Sequence, residues 1–437
     1  MPLDTSKATA QVVGDYELIE KIAEGGMGTV YKGRHCQTGL IVAIKVVPPG
    51  MASNLVLLKR FENEFRAASS LDHPNIVRAL EYGNSNGRTF LVMEFIDGES
   101  LGQRLERDGR LPEAEALRII QLAAKGLLHA HKNGLIHRDV KPDNLMVTTD
   151  GQVKLADLGL VKEVDADLNL TRTGRGLGTP HFMAPEQFRN AKNADVRCDI
   201  YSLGATLYQM VTGELPFKSL GPLDAWMKKV NNELALPRQL VPELSERVDW
   251  AIRRAMHPDP EQRPASCREF VEDVTGHSSK KMRSADGITP GADLWYVVYK
   301  DAAGTTHTVK GSTAAIRRGL REQALGELAT IRTCRTKQGP FEPLRTYAEF
   351  RDLILPMGPS APTPTRVTGV PTPTGAPKTQ PGTPSAANPS TSTPIPNKPL
   401  IKLDVKNNSG REWLRVLLIA LLATAAGVVA FFFLFSK

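Results

Sequence analysis

The 437-residue chain carries a formal net charge of +8, with 23% charged and 41% hydrophobic residues. That balance excludes a wholly disordered chain and leaves room for about two or three domains. The charge excess is small for this length, and no lysine-rich arm or aromatic-interleaved basic stripe accompanies it, so no nucleic-acid partner is expected. Cys36, Cys198, Cys267 and Cys334 are far apart and form no C-x-x-C pair, which argues against a zinc site or a disulfide framework and for a reducing compartment.

Residues 1–14 are small and polar with no apolar core, so a flexible N-terminus without a signal peptide is expected. From Tyr16 the alternation of the chain suits a strand, which runs into Ile22-Ala23-Glu24-Gly25-Gly26-Met27-Gly28-Thr29-Val30. Glycines there let backbone amides approach phosphate oxygens without a Cβ in the way, although many glycine-rich turns only reverse a chain. The next apolar strand ends in Val42-Ala43-Ile44-Lys45, where a lysine would ordinarily snorkel to water. A helix is expected around residues 60–70 and offers two carboxylates, Glu62 and Glu64. His137-Arg138-Asp139-Val140-Lys141-Pro142-Asp143-Asn144 brings a carboxylate, a lysine and an amide into one short loop. Val153-Lys154-Leu155-Ala156 is strand-like and leads into Asp157-Leu158-Gly159.

In this order the segments resemble the eukaryotic-type Ser/Thr protein kinases, whose patterns include G-x-G-x-x-G-x-V, V-A-I-K, H-R-D-x-K-P-x-N, D-F-G and A-P-E. The wording of the glycine loop and the apolar C-terminal run resemble the bacterial, membrane-anchored branch. Two positions depart from the pattern: Ala23 replaces the first glycine, and Leu158 replaces phenylalanine while still supplying an apolar plug. The resemblance implies an α+β, bilobal protein kinase fold over residues 15–276, with a small, mainly antiparallel sheet and one helix followed by a larger helical lobe.

It also implies ATP as phosphoryl donor and Mg²⁺ as cofactor. Residues 22–30 would form the loop over the nucleotide. Val30 and Ala43 would cover the adenine ring, Met146 would lie beneath it, Met93 would be the gatekeeper, and Glu94 to Ile96 the hinge. Lys45 would hold the α- and β-phosphates. Glu64, preferred to Glu62 for its spacing to His73-Pro74-Asn75-Ile76-Val77, would fix that lysine. Asp139 would accept or orient the proton of the substrate hydroxyl, and Lys141 would steady the transferring γ-phosphoryl group. Lys141 resembles the Ser/Thr kinases rather than the tyrosine kinases. Asn144 and Asp157 would bind the metal. Glu186 of Ala184-Pro185-Glu186 would pair structurally with Arg263, and the aspartate of Asp199-Ile200-Tyr201-Ser202-Leu203-Gly204 would hold the backbone of the catalytic loop.

Between Asp157 and Glu186 the chain offers Thr171, Thr173 and Thr179. Thr171 and Thr173, in Leu170-Thr171-Arg172-Thr173, resemble the activation-loop autophosphorylation sites of bacterial transmembrane kinases. Such a phosphate would be held by Arg138, and self-association would allow phosphorylation in trans. Thr179 is expected to contact the substrate and the catalytic loop.

Residues 277–291 read as a linker and 292–356 as a small α/β module. Its Trp295-Tyr296 opening and Tyr347-Ala348-Glu349-Phe350 close resemble GYF-like modules that bind proline-rich peptides. Such a module would dock a partner or the chain's own proline-rich stretch. Residues 357–410, rich in Pro, Thr and Ser, cannot bury a core and are expected to be a disordered linker, spanning on the order of 100 Å if extended. Residues 413–435 are expected to form a transmembrane helix, because Val416 to Phe435 holds no charge and is about long enough to cross a bilayer. Lys398, Lys402, Lys406, Arg411 and Arg415 precede the span, which places the kinase on the cytoplasmic side of the cell membrane as a single-pass protein. Protein substrates follow from the resemblance. Two other readings stay open: a membrane-anchored pseudokinase scaffold that only binds nucleotide or partners, and a small-molecule kinase of the same superfold, in which A-P-E is rare.

Overall fold

The computed structural model describes residues 11–355, apart from 26–27, 48–57, 60–61, 63–64, 67, 159–180, 191–193, 219–220, 279–292 and 302. The expected linker at 357–410 and transmembrane helix at 413–435 lie outside the described residues. Among the described residues no helix is long and apolar enough to cross a membrane.

A six-stranded sheet opens the fold, built from β1 (Val12–Val13), β2 (Tyr16–Gly25), β3 (Gly28–His35), β4 (Ile41–Val46), β5 (Ala79–Ser85) and β6 (Arg88–Glu94) in the order β1-β2-β3-β4-β6-β5. Every neighbouring pair is antiparallel. Side chains alternate between faces along a strand, so β4 divides its residues in two. Val42 and Ile44 are fully buried and pack with Tyr16, Phe90 and Val92. Ala43 and Lys45 point to the opposite face. In register with them stand Val30 opposite Lys45 on β3, and Met93 and Leu91 opposite Ala43 and Lys45 on β6. Four residues expected around the nucleotide, Val30, Ala43, Lys45 and Met93, therefore share one face of the sheet. Helical residues at 65 and 68 pack on this side through Phe65 and Ala68, together with Leu91, Met93 and Leu158. Leu158 thus fills the plug position expected of it.

The segment around Asn75 sews this sheet to a second, three-stranded one made of β7 (Gly98–Ser100), β8 (Leu145–Thr148) and β9 (Val153–Leu155). Asn75 Nδ2 donates to Val153 O at 2.8 Å, Leu155 N–H donates to Asn75 O at 3.0 Å, and Val77 N–H donates to Leu155 O at 2.8 Å.

The larger lobe is helical: α1 (Leu101–Asp108), α2 (Glu113–Lys132), α3 (Pro185–Asn190), α4 (Arg197–Thr212), α5 (Pro222–Val230), α6 (Glu246–Ala255) and α7 (Cys267–Thr275). Local chemistry sets their ends. Ser100 and Gln103 form a capping box at the start of α1, and Ser245 and Ser266 cap α6 and α7 through their hydroxyls. Gly213 and Gly276 close α4 and α7 in the left-handed conformation that glycine adopts without strain. Helix α4 is buried on nearly all sides, which marks it as the central post of the lobe. It packs with α2, α6 and α7 in one large core that includes Ile119, Leu127, Tyr201, Leu203, Ile252 and Phe270.

Residues beyond 292 form a separate sheet, β11-β10-β12-β13, from β10 (Trp295–Lys300), β11 (Thr306–Gly311), β12 (Arg332–Cys334) and β13 (Glu342–Pro343), with helices α8 (Thr313–Arg321) and α9 (Ala348–Ile354). All its pairings are antiparallel, and β10 and β11 are joined by a turn too short for a helical crossover. The expected small module is therefore an antiparallel sheet flanked by helices. Trp295 is its fully buried centre, edge-on to Tyr347 and Phe350, with the Arg335 guanidinium 3.6 Å from the ring centroid.

Its helix α9 docks on α6 and α7 of the larger lobe. Asp352 accepts from Arg247 at 2.9 Å and from Arg317 at 2.6 Å, Trp250 Nε1 donates to Leu355 O at 2.9 Å, and Arg351 reaches Glu272 and the buried Asp273. Asp273 also pairs with Arg254. Its burial pushes the carboxyl up to about 6 against the pull of the two guanidinium groups.

Candidate active site

The hairpin between β2 and β3 carries the glycine loop. Gly25 stands opposite Gly28 and Ala23 opposite Val30, with register irregularities between Leu18 and Glu20 and between Lys21 and Ala23. Gly28 has a φ of 131°, and a Cβ there would meet Val46 O at 2.3 Å, so the turn requires glycine at this position. Ala23 is exposed beside it, and Ile22 and Glu24 are also exposed. Glu24 is ion-paired with Lys21. Gly26 and Met27, both expected in the loop, lie outside the described residues.

Lys45 is 5% exposed, and its ammonium lies 2.8 Å from Asp157 Oδ1. One salt bridge therefore joins the small lobe to the segment expected to bind metal. The carboxylate expected to fix Lys45, Glu64, lies outside the described residues. Its competitor Glu62 is paired with Arg66 at 2.6 Å. The resemblance implies that Lys45, held this close to Asp157, meets the phosphates. Replacing it by methionine should lower kcat/KM by about 10²–10³, as for loss of one preorganised donor. Steady-state kinetics with ATP varied would read this, and a wild-type value would contradict it.

The loop from His137 to Asn144 is fixed from below. Asp199, fully buried in α4, accepts from His137 N–H at 2.8 Å and from Arg138 N–H at 2.7 Å, and its Oδ2 lies 2.8 Å from His131 Nε2. The role implied for that aspartate is what the geometry shows. Arg138 takes a φ of 63°, a conformation few side chains adopt, which this pair of bonds sustains. His137 is buried and lies 3.0 Å from Ala156 O through Nε2.

Three polar side chains converge above this base. Asn144 Nδ2 donates to Asp139 O at 2.8 Å and to Asp139 Oδ2 at 3.3 Å. Lys141 Nζ lies 3.3 Å from Asp139 Oδ2. Asn144 O accepts from Ala156 N–H at 2.9 Å, which sets the residue before Asp157 directly against Asn144. With its side-chain nitrogen spent on Asp139, Asn144 offers its side-chain oxygen, Oδ1, as a donor atom to a cation. One amide oxygen and one carboxylate are hard donors that suit Mg²⁺, an ion that completes its shell with water and phosphate. The residues present fit that ion. Among the described residues there is no preformed cluster of three or more His, Cys, Asp or Glu for a metal.

Met146 is half-buried, and its strand position faces Ser100 across β7–β8. Glu94, the last residue of β6, and Ile96 just beyond it are half-buried. The Glu94 N–H is engaged with Arg78 O at 3.0 Å, and its carboxylate bridges Arg78 N–H and Lys154 Nζ, each at 2.8 Å. That side chain ties the crossover between the lobes to β9, a role its place in the sequence did not signal. Thr171 and Thr173 lie outside the described residues.

Glu186 and Arg263 form the expected pair, bidentate at 2.7 and 2.8 Å, with Arg263 2% exposed. Gln187 was not anticipated. Its amide donates to Arg138 O at 3.1 Å and its oxygen accepts from Ala184 N–H at 2.9 Å, so α3 is stitched to the loop from His137 to Asn144. Glutamine directly after A-P-E is the only trace this leaves in the sequence.

The chain matches the protein kinase domain family over residues 16–275. It is 37% identical over 282 residues to the serine/threonine-protein kinase PknA of Mycobacterium tuberculosis, a match covering 63% of this chain and 64% of the relative. It is 32% identical over 361 residues to the serine/threonine-protein kinase pkn3 of Myxococcus xanthus, covering 79% of this chain and 64% of the relative. The chain thus spans less than two thirds of the length of these curated relatives. Among solved structures it resembles the kinase domain of Mycobacterium tuberculosis PknI, with 28% identity, a TM-score of 0.50, and coverage of 62% of this chain and 98% of that one. The matched span contains the sheet face, the catalytic loop and the Glu186–Arg263 pair, and the chain belongs to the protein kinase domain family.

Proposed function

We propose that the chain is a protein Ser/Thr kinase that transfers the γ-phosphoryl group of ATP to Ser and Thr hydroxyls. The observation that carries this reading is the convergence of Asp139, Lys141 and Asn144 in one bonded cluster against the Asp157 segment, which is itself joined to Lys45. ATP concentrates negative charge, and phosphoryl transfer depends mainly on positioning and preorganised charge. Lys45 holds the inner phosphates, and Lys141 steadies the group in transfer. Asp139 receives the hydroxyl proton, with Asn144 fixing its backbone and side chain. Asn144 and Asp157 would hold Mg²⁺, which would supply positive charge to the phosphates. The Glu94 carbonyl and the Ile96 N–H serve the adenine edge. A pseudokinase scaffold would be expected to have lost Lys45, Asp139 or Asp157, and all three are present. The purified full chain, given Mg²⁺ and labelled ATP with a generic basic protein, should yield phosphoserine and phosphothreonine. Label on tyrosine alone, or none, would count against the reading.

The kinase is tethered to the cell membrane by residues 413–435, with its catalytic part in the cytoplasm. The uncharged run and the cations that precede it support this. Deleting the run should move the protein from the membrane fraction to the supernatant; unchanged fractionation would remove the anchor. Self-association on the membrane would allow autophosphorylation in trans at Thr171 and Thr173. Mapping the active protein should find phosphate on one or both, and an active protein bearing neither would defeat that part. The module at 292–356 serves as a docking unit for proline-rich peptide, in a partner or in the chain's own 357–410 stretch. Unchanged retention on a proline-rich peptide array after its deletion would count against it.

A further inference from the structure

Helix α5 turns one lysine inward. Lys229 is 1% exposed, and its ammonium lies among the rings of Phe188, Tyr201 and Phe217, at 5.6, 5.3 and 5.8 Å from their centroids. Nζ donates to the carbonyl of His181 at 3.0 Å and to that of Met183. Burial holds the ammonium well below the usual lysine range, while Glu186 pulls it back up and Arg263 pushes it down. Taking an ammonium out of water is costly, and an apolar side chain of similar volume would fill the space without that cost. A buried amine at this position therefore calls for an explanation other than packing.

The segment above it supplies one. Residues 181–184 are held from beneath at every step. The carbonyls of His181 and Met183 go to Lys229, and the Phe182 carbonyl accepts from Ser202 Oγ of α4 at 2.8 Å. Ala184 N–H goes to Gln187, whose amide in turn holds Arg138 O. The His181 ring is also fixed, with Nδ1 3.1 Å from Pro216 O. This short length of backbone is thus tied, through Ala184 and Gln187, to Arg138, the residue next to Asp139.

We propose that Lys229 is a positioning residue for the protein substrate, holding residues 181–183 where an incoming chain must rest to present its hydroxyl to Asp139. It touches neither nucleotide nor the reacting atoms, and it reaches the reaction only through the backbone it supports. The inference rests on the kinase reading above and adds a residue that governs the protein side of the site but not the ATP side.

The test uses the full chain and a Ser/Thr peptide that the wild type phosphorylates. Lys229→Met, which keeps the length of the side chain but not its donor, should raise KM for the peptide about tenfold while KM for ATP stays within about twofold. Lys229→Gln, which keeps a donor, should recover most of the loss. A purely structural role would instead move both constants, together with the melting temperature. An unchanged peptide KM, or an equal change in both constants, overturns the proposal. If Lys229→Met does not fold, Lys229→Leu, which also lacks the donor, is read by the same two constants. A wild type that phosphorylates no peptide overturns the kinase reading and this proposal with it; an active wild type with an unaffected variant overturns the placement of Lys229 alone.

Discussion

Asp139→Asn should reduce kcat by about 10²–10⁴, the range that general-base catalysis contributes, with ATP binding nearly unchanged. The side chain is accessible enough to meet a hydroxyl, and its position is set from three sides: Asn144 at its backbone and carboxylate, Lys141 at the same carboxylate, and Asp199 beneath the two preceding residues. Asparagine keeps the shape of the group and removes the negative charge that draws the proton. Lys45 and the sheet face lie apart from this change, so affinity for nucleotide survives. Equal loss of ATP binding would mean that Asp139 holds the loop together rather than serving the reaction.

Arg263→Met should cost about 3–5 kcal/mol, because it leaves the Glu186 carboxylate without its guanidinium in a largely enclosed setting. Arg263 does more than pair with Glu186. Its guanidinium also donates to the carbonyls of His257 at 2.7 Å, Pro258 at 3.1 Å and Arg197 at 3.2 Å, and stacks over Tyr201 with its centre 4.9 Å from the ring centroid. One side chain thus joins α3, the start of α4 and the turn after α6. A fall in melting temperature of about 10 °C is expected on that scale. Adding Glu186→Gln should return part of it by removing the stranded charge, and calorimetry of the single and double variants reads both steps. A shift of a degree or less for Arg263→Met would show that the pair contributes little.

The parts of the site that lie close together in sequence were legible before any coordinates. His137 to Asn144 form one loop, and the alternation in Val42-Ala43-Ile44-Lys45 already separates the core face from the cleft face. The Glu186–Arg263 pair spans 77 residues and was still accessible, because both ends sit in patterns of fixed wording. Other long-range ties carry no such wording. The Glu94 side chain could be read as part of the hinge, but its bridge to Lys154 depends on how β6 and β9 approach. His131 beneath Asp199, Gln187 against Arg138 and Lys229 under residues 181–183 are ordinary helical residues until the helices pack. Nor did the residues at 292–356 reveal where they would lie. Only the fold brings Arg351 to Asp273 and Asp352 to Arg247.

The most direct test of the central claim places wild type and Asp139→Asn side by side with labelled ATP and Mg²⁺, with ATP binding measured for both. The account predicts label on serine or threonine in the wild type, label formed about 10²-fold or more slowly in the variant, and comparable ATP binding in the two. Absence of label from a wild type that is folded and binds ATP, with manganese tried as well as magnesium, would contradict it and leave a nucleotide-binding scaffold in place of an enzyme.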